Sequence, residues 1–150
     1  MVDILIPTLD SPDTLEAVVK NIHVTAGYPH LIHFIAEADD IETIAKVKTI
    51  PGVNLIVNDV RGGIAHCFNH GYRVTSNEYI MLTTDDIVYP DGWLKDGIGQ
   101  LGHRSVLAYS EKQGHGWGFF LVRRRYIETM SGCVDNPDVI YHEYKHGFAD

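Results

Sequence analysis

Apolar residues follow two alternating rhythms along the chain. Short apolar runs bounded by Pro, Gly or Asp occur at residues 2–9, 31–38, 53–57 and 79–83, the pattern of strands buried on both faces. Between them, apolar residues return at three- and four-residue spacing. Leu15, Val18, Val19 and Ile22 form the first such stripe. Ser11-Pro12-Asp13 ahead of it offers an N-cap, a proline for the first helical position and an acid for the first turn. Ile41, Ile44 and Val47 form the second, capped by Asp39 or Asp40 and ended by Pro51-Gly52. Ile64, Cys67, Phe68, Gly71 and Tyr72 form the third, at i, i+3, i+4, i+7 and i+8 behind Arg61-Gly62-Gly63. Tyr89-Pro90-Asp91-Gly92-Trp93 opens a fourth helical stretch through Leu94, Ile98 and Leu101. Residues 106–109 and 119–122 read as further strands and 126–130 as a short helix.

Three βα units in succession predict an α/β fold, a mostly parallel sheet flanked by helices, built as one domain over residues 1–150. Such sheets bind ligands outside the carboxyl ends of their strands. That rule selects Pro7, Thr8 and Asp10 after the first strand, and Glu37 and Asp39 after the second. Asn58, Asp59 and Arg61 follow the third, and Thr84, Asp85 and Asp86 the fourth. Polar and acidic side chains therefore crowd one edge, which favours a polar ligand held partly through a cation.

Composition narrows the picture. A chain of 150 residues with 45% hydrophobic and 21% charged residues is ordinary for a globular domain, which excludes disorder, collagen and coiled coil as overall classes. No apolar run approaches the roughly 18 residues of a membrane helix. The opening residues lack a basic stretch and meet Pro7 early, so no secretory signal is expected. Cys67 and Cys133 fit neither a disulfide framework nor a thiolate metal site, and are expected to be reduced, in a cytoplasmic setting. A net charge of -8 argues against nucleic acid as a partner. The one basic cluster, Arg123-Arg124-Arg125, reads either as a solvated helix start or as a contact to an anion.

Asp85-Asp86 follows an apolar strand, where neighbouring side chains diverge, so one carboxylate can face a ligand hydroxyl and the other a metal. Oxygen donors of this kind suit Mg²⁺ or Mn²⁺. The surrounding order of motifs is more specific than the pair. Ile4-Leu5-Ile6-Pro7-Thr8 is followed by Arg61-Gly62-Gly63-Ile64-Ala65 with Asn69, then by Asn69-His70-Gly71-Tyr72. Glu78-Tyr79-Ile80-Met81-Leu82-Thr83-Thr84-Asp85-Asp86 comes next, and then Pro90-Asp91-Gly92-Trp93-Leu94. Taken together, residues 2 to about 95 resemble the family 2 glycosyltransferases of the GT-A fold. Thr83 stands where many members carry the first acid of the metal motif.

The resemblance implies a metal-dependent, inverting transferase that takes a sugar from a nucleotide-diphosphate sugar, a UDP-sugar foremost, to an acceptor hydroxyl, with Mn²⁺ or Mg²⁺ as cofactor. It implies that residues 1–95 form the donor and metal half and residues 96–150 the acceptor side. Pro7, Thr8 and Asp10 would line the nucleotide pocket, Glu37 would lie near the base, and Asp59 and Arg61 near base, ribose or phosphate. Asp85 would contact ribose or sugar and Asp86 the metal, or the two would share these roles. The resemblance also makes Glu143 the general base for the acceptor hydroxyl. Trp117 and Gly116, in Gly114-His115-Gly116-Trp117-Gly118, would serve the acceptor, and His142 or His146 would complete the metal shell.

Two other classes compete. His142-Glu143-Tyr144-Lys145-His146 spells H-E-x-x-H, the helix motif of zinc hydrolases. Tyr141 and Gly147 give it a poor helical setting, and nine histidines make a chance match common. The remaining class is a nucleotide-sugar binding module without catalysis.

Overall fold

The computed structural model describes residues 1–109 and 119–131. Strands β1 (Val2–Thr8), β2 (His30–Glu37), β3 (Val53–Asn58) and β4 (Tyr79–Leu82) alternate with helices α1 (Leu15–Thr25), α2 (Ile41–Val47) and α3 (Gly63–Val74). Helix α4 (Trp93–Leu101), strands β5 (Val106–Tyr109) and β6 (Phe119–Arg123) and helix α5 (Arg124–Ser131) follow. The six strands form one sheet in the order β3-β2-β1-β4-β6-β5. β1 pairs in parallel with β2 and β4, and β2 with β3. β6 runs antiparallel to both β4 and β5. The sheet is therefore mixed and mostly parallel, as the alternation of strand and helix patterns predicts.

Side chains alternate across each strand and divide the core into two layers. Val2, Ile4 and Ile6 of β1 join Ile32 and Phe34 of β2 beneath α1 and α4, where Leu15, Val18, Ile22, Trp93 and Leu94 close the layer. Leu5 and Ile35 point the other way, onto Cys67 and Phe68 of α3 and Ile127 of α5. Helix α3 lies so close to the sheet that a Cβ on Gly71 would sit 2.7 Å from Ile35 Cδ1 and 2.9 Å from Leu5 Cδ1. The glycine in the sequence stripe is thus a contact point between helix and sheet.

Local chemistry shifts several boundaries from their expected places. Helix α1 begins at Leu15, not beside Ser11, because the Ser11 hydroxyl donates back to the Leu9 carbonyl at 3.0 Å. Ser11 to Thr14 instead form a turn, with the Thr14 hydroxyl on the Ser11 carbonyl at 3.0 Å. Asp40, not Asp39, caps α2, its carboxylate accepting from Thr43 N at 3.1 Å. Helix α5 starts at Arg124, two residues early, where Arg124 N donates to the Glu78 carbonyl at 2.8 Å.

The sheet edge where the parallel strands begin carries a buried polar cluster that crosses several elements. Asp3, 1% exposed, accepts from His33 Nε2 at 2.9 Å, from Asn77 N at 2.9 Å and from Asn77 Nδ2 at 2.8 Å. Arg124 Nη2 lies 3.6 Å from Asp3, while Nε of the same guanidinium donates to the Asn77 carbonyl and Nη1 to the Tyr72 carbonyl. Arg123 pairs with Glu78 at 2.7 Å and lies over the Tyr79 ring. Two arginines of the basic cluster are thus engaged with carboxylates of the protein itself, at the edge opposite the strand ends that face the cleft described next.

Candidate functional site

The strand order turns back between β1 and β4, so a crevice opens beyond their carboxyl ends. A cleft of about 350 Å³ occupies that point. Pro7, Thr8 and Leu9 line it from β1, Glu37 from β2, Gly63, Ile64 and Cys67 from α3, and Thr84, Asp85 and Asp86 from beyond β4. The structure therefore brings Pro7, Thr8, Glu37, Asp85 and Asp86 together from segments far apart in sequence.

The two aspartates lie in a turn beyond β4 rather than on the strand itself. They still diverge. Asp85 is half-buried and accepts from the Thr8 hydroxyl at 2.6 Å, which ties the ends of β1 and β4 together. Burial pushes the Asp85 carboxyl up, the Thr8 hydrogen bond opposes this, and the neighbouring Asp86 charge adds to the rise. Asp86 is exposed and accepts from the Thr84 hydroxyl. The turn is held from below. Thr83 N donates to the Leu5 carbonyl at 3.1 Å, its hydroxyl pairs with Tyr89 Oη, and the Tyr89 ring stacks on Trp93 with centroids 4.2 Å apart.

Glu37 is 5% exposed. One carboxylate oxygen accepts from Cys67 Sγ at 3.5 Å, while Oε2 is buried without a hydrogen-bond partner. The Cys67 thiol in turn accepts from Asn58 Nδ2 at 3.2 Å, and Asn58 Oδ1 lies 2.5 Å from His70 Nδ1. Burial, together with the Glu37 charge, pushes the Cys67 thiol up to about 12, so it stays protonated and unreactive near neutral pH. In sequence Asn58 stands at a strand end and Cys67 on the core face of α3; their links to Glu37 and His70 run between β2, β3 and α3, which no local pattern records.

A second acidic group lies beside the cleft. Asp10 has a left-handed backbone, φ 54, and its N–H donates to Asp40 Oδ2 at 2.8 Å. The carboxyl of Asp40 stands below its ordinary value: burial would raise it, but hydrogen bonds from Thr43 and Asp10 N and the Arg61 charge outweigh that. Arg61 Nε reaches both oxygens of Asp39, at 3.1 and 2.9 Å, and both side chains are exposed. Asp59 is exposed on the loop after β3. Asp10, Asp59 and Arg61 thus flank the cleft and do not line it. Gly116, Trp117, His142, Glu143 and His146 lie outside the described residues.

The donor set suits a hard cation. Among the described residues no group of three or more His, Cys, Asp and Glu side chains is arranged to hold a metal. Mg²⁺ and its like usually take one or two protein carboxylates and complete their shell with water and substrate phosphates. Asp85 and Asp86, adjacent and diverging at the cleft mouth, fit that pattern; the described part of the cleft offers no nitrogen-rich cage for zinc.

Comparison with known proteins agrees with the geometry. Solved structures sharing the fold include a mannosyltransferase from Pyrobaculum calidifontis in complex with GDP-Man and Mn²⁺. It is 18% identical, with a TM-score of 0.72, over 85% of this chain and 46% of that one. TarS 1-349 from S. aureus follows at 12% identity and a TM-score of 0.67, over 85% of this chain and 48% of that one. Glucosyl-3-phosphoglycerate synthase from Mycobacterium tuberculosis, in complex with Mn²⁺, UDP-glucose and phosphoglyceric acid, is 14% identical with a TM-score of 0.61. That match covers 83% of this chain and 57% of that one. The chain thus spans about half the length of these structures. No curated protein matches it significantly. No described helix is long and apolar enough to cross a membrane. The family profile for glycosyl transferase family 2 matches residues 3–147, nearly the whole sequence, and the chain belongs to that family.

Proposed function

We propose that this chain binds a nucleoside-diphosphate sugar, a UDP-sugar foremost, in the cleft between β1 and β4 and transfers the sugar to an acceptor hydroxyl with inversion. The observation that carries this reading is the buried, unpartnered Glu37 Oε2 in the same cleft as the Thr8–Asp85 pair. A buried carboxylate oxygen without a donor is costly, by about 1–3 kcal/mol, more when it carries charge. The N–H of a base or the hydroxyl of a ribose would relieve that cost.

The cleft is acidic, with Glu37, Asp85 and Asp86 in its wall. A diphosphate entering it alone meets repulsion, which supports a requirement for Mn²⁺ or Mg²⁺ held by Asp86 with Asp85. When bound, such a cation offsets the negative charge that builds on the departing nucleoside diphosphate. Two of the structural relatives carry Mn²⁺ with a nucleotide sugar, which favours the same class of donor here. Thr8 fixes the Asp85 carboxylate by its hydrogen bond, and the Thr83–Tyr89–Trp93 stack holds the turn that carries both acids. In this proposal Glu143 takes the proton from the acceptor hydroxyl, the step a weak oxygen nucleophile needs, while Trp117 and Gly116 serve the acceptor and His142 or His146 stands near the cation.

Calorimetric titration with UDP and GDP, each in Mn²⁺ and in EDTA, tests the reading on the full chain and on Asp86→Ala. UDP is expected to bind in Mn²⁺ alone and to lose at least tenfold in affinity in the variant. Equal binding in EDTA, or an unaffected variant, would overturn the metal role. Tight binding without slow release of free sugar from the donor would instead favour a module that binds and does not transfer.

A further inference from the structure

Nine histidines are more than the cleft uses, and two of them meet at the opposite edge of the sheet. His23 lies in the last turn of α1 and His30 opens β2, three residues beyond the Gly27 turn. Their nitrogens Nδ1 and Nε2 are 3.0 Å apart, the ring centres are 5.1 Å apart, and the planes are 29° from parallel. The rings are thus offset, with one nitrogen of each brought within hydrogen-bond distance of the other.

The tautomers follow from the partners. His30 Nδ1 lies 2.8 Å from the Tyr28 carbonyl, which can only accept, so Nδ1 carries the proton and Nε2 of the neutral ring is bare. Metal-binding imidazoles are set in this way, one nitrogen donating to a carbonyl while the other is presented. His23 Nδ1 then fills the bare position with a proton of its own. A tetrahedral cation about 2.0–2.1 Å from each nitrogen needs them about 3.3 Å apart, a few tenths of an ångström wider than they stand. Both rings sit on fixed elements: Val2 N donates to the Pro29 carbonyl at 3.0 Å, and Ala26 N closes the helix on the Ile22 carbonyl at 2.9 Å. Burial and the neighbouring His30 hold the His23 imidazole below its ordinary value.

We propose that His23 and His30 form a second cation site, separate from the carboxylates of the cleft, that takes a borderline divalent ion of the Zn²⁺, Ni²⁺ or Cu²⁺ class. The two imidazoles supply half of a tetrahedral shell and water the rest. No third His, Cys, Asp or Glu joins them among the described residues. The His23 proton passes from Nδ1 to Nε2 by exchange with water, the ion takes its place between the two bare nitrogens, and the end of α1 is clipped to the start of β2. Borderline and hard sites are thus divided between the two edges of one sheet, nitrogen at one and oxygen at the other.

The test is calorimetric titration of the metal-free full chain with Zn²⁺ alone. One equivalent is expected to bind with a Kd of about 10–100 µM, the affinity of half a structural zinc site. His23→Gln, at the exposed helix end, and His30→Ala should each weaken it at least tenfold, while Asp86→Ala leaves it unchanged. His142→Ala/His146→Ala serves as the control for the H-E-x-x-H motif. Superimposable titrations of the wild type and His23→Gln, no binding at 1 mM Zn²⁺, or loss confined to the His142/His146 variant would each overturn the proposal. If His30→Ala fails to fold by circular dichroism, His23→Gln alone decides.

Discussion

Asp3 is the group whose charge the fold depends on most visibly. Burial pushes its carboxyl up, but hydrogen bonds from His33 and from the side chain and backbone of Asn77 outweigh burial and hold it at about 2, against an ordinary 3.8. A carboxyl depressed in the folded state adds stability above its unfolded pKa and loses it as pH falls through the folded one. The lost difference, close to two pH units, is worth about 2.4 kcal/mol at 1.36 kcal/mol per unit. Asp3 is 1% exposed, so little of this is screened by solvent. Other carboxyls titrate in the same range, and Asp3→Asn isolates the share that belongs to this one. Urea unfolding followed by circular dichroism from pH 7 to pH 2 should show the wild type losing about 2 kcal/mol more than Asp3→Asn, nearly all of it between pH 4 and pH 2. Parallel pH profiles for the two proteins would refute the argument, and with it the claim that the His33–Asp3–Asn77 cluster favours the charged acid.

Three further outcomes are expected. Glu143→Gln should keep donor binding while transfer falls roughly 10²–10⁴-fold, the usual weight of a general base, and wild-type turnover would move that role elsewhere. Gly71→Ala should lower the unfolding midpoint, since overpacking against Ile35 and Leu5 costs about 1–3 kcal/mol and exceeds the roughly 1 kcal/mol that alanine adds to a helix; a raised midpoint would show that the layer yields. Cys67, with its thiol pushed up to about 12, should be alkylated by iodoacetamide at pH 8 on the order of 10³-fold more slowly in the native chain than in urea, as read by peptide mass spectrometry, and comparable rates would contradict its burial.

Periodicity was enough to order the elements, because each strand or helix is written in consecutive residues. The strand ends followed, and with them Pro7, Thr8, Glu37, Asp85 and Asp86 as neighbours at one edge. Pairings across the sheet were not legible. Thr8 and Asp85 are 77 positions apart, and nothing local says that their side chains touch. Asp3 stands in sequence as one acid inside an apolar run, yet it collects donors from β2 and from the loop before β4. Arg124 read as part of a charged run, although its guanidinium is spent on carbonyls inside the protein. The start of α1 lies beyond Ser11 for a local reason that composition hides: a serine can cap forward or bond backward, and Ser11 bonds backward.

The cluster around Asp3 and the Thr8–Asp85 pair sit at opposite ends of the same strand. Five residue steps separate them, about 17 Å at a strand's rise. Substitutions that far apart, with no shared partner, combine almost additively. The edge that holds the sheet together is therefore insulated from the edge that meets a ligand. Loops beyond β1 to β4 are free to vary in length and chemistry at little thermodynamic risk to the rest. One scaffold of this kind can acquire many donor and acceptor preferences through drift at a single rim, which makes the fold a permissive starting point for divergence.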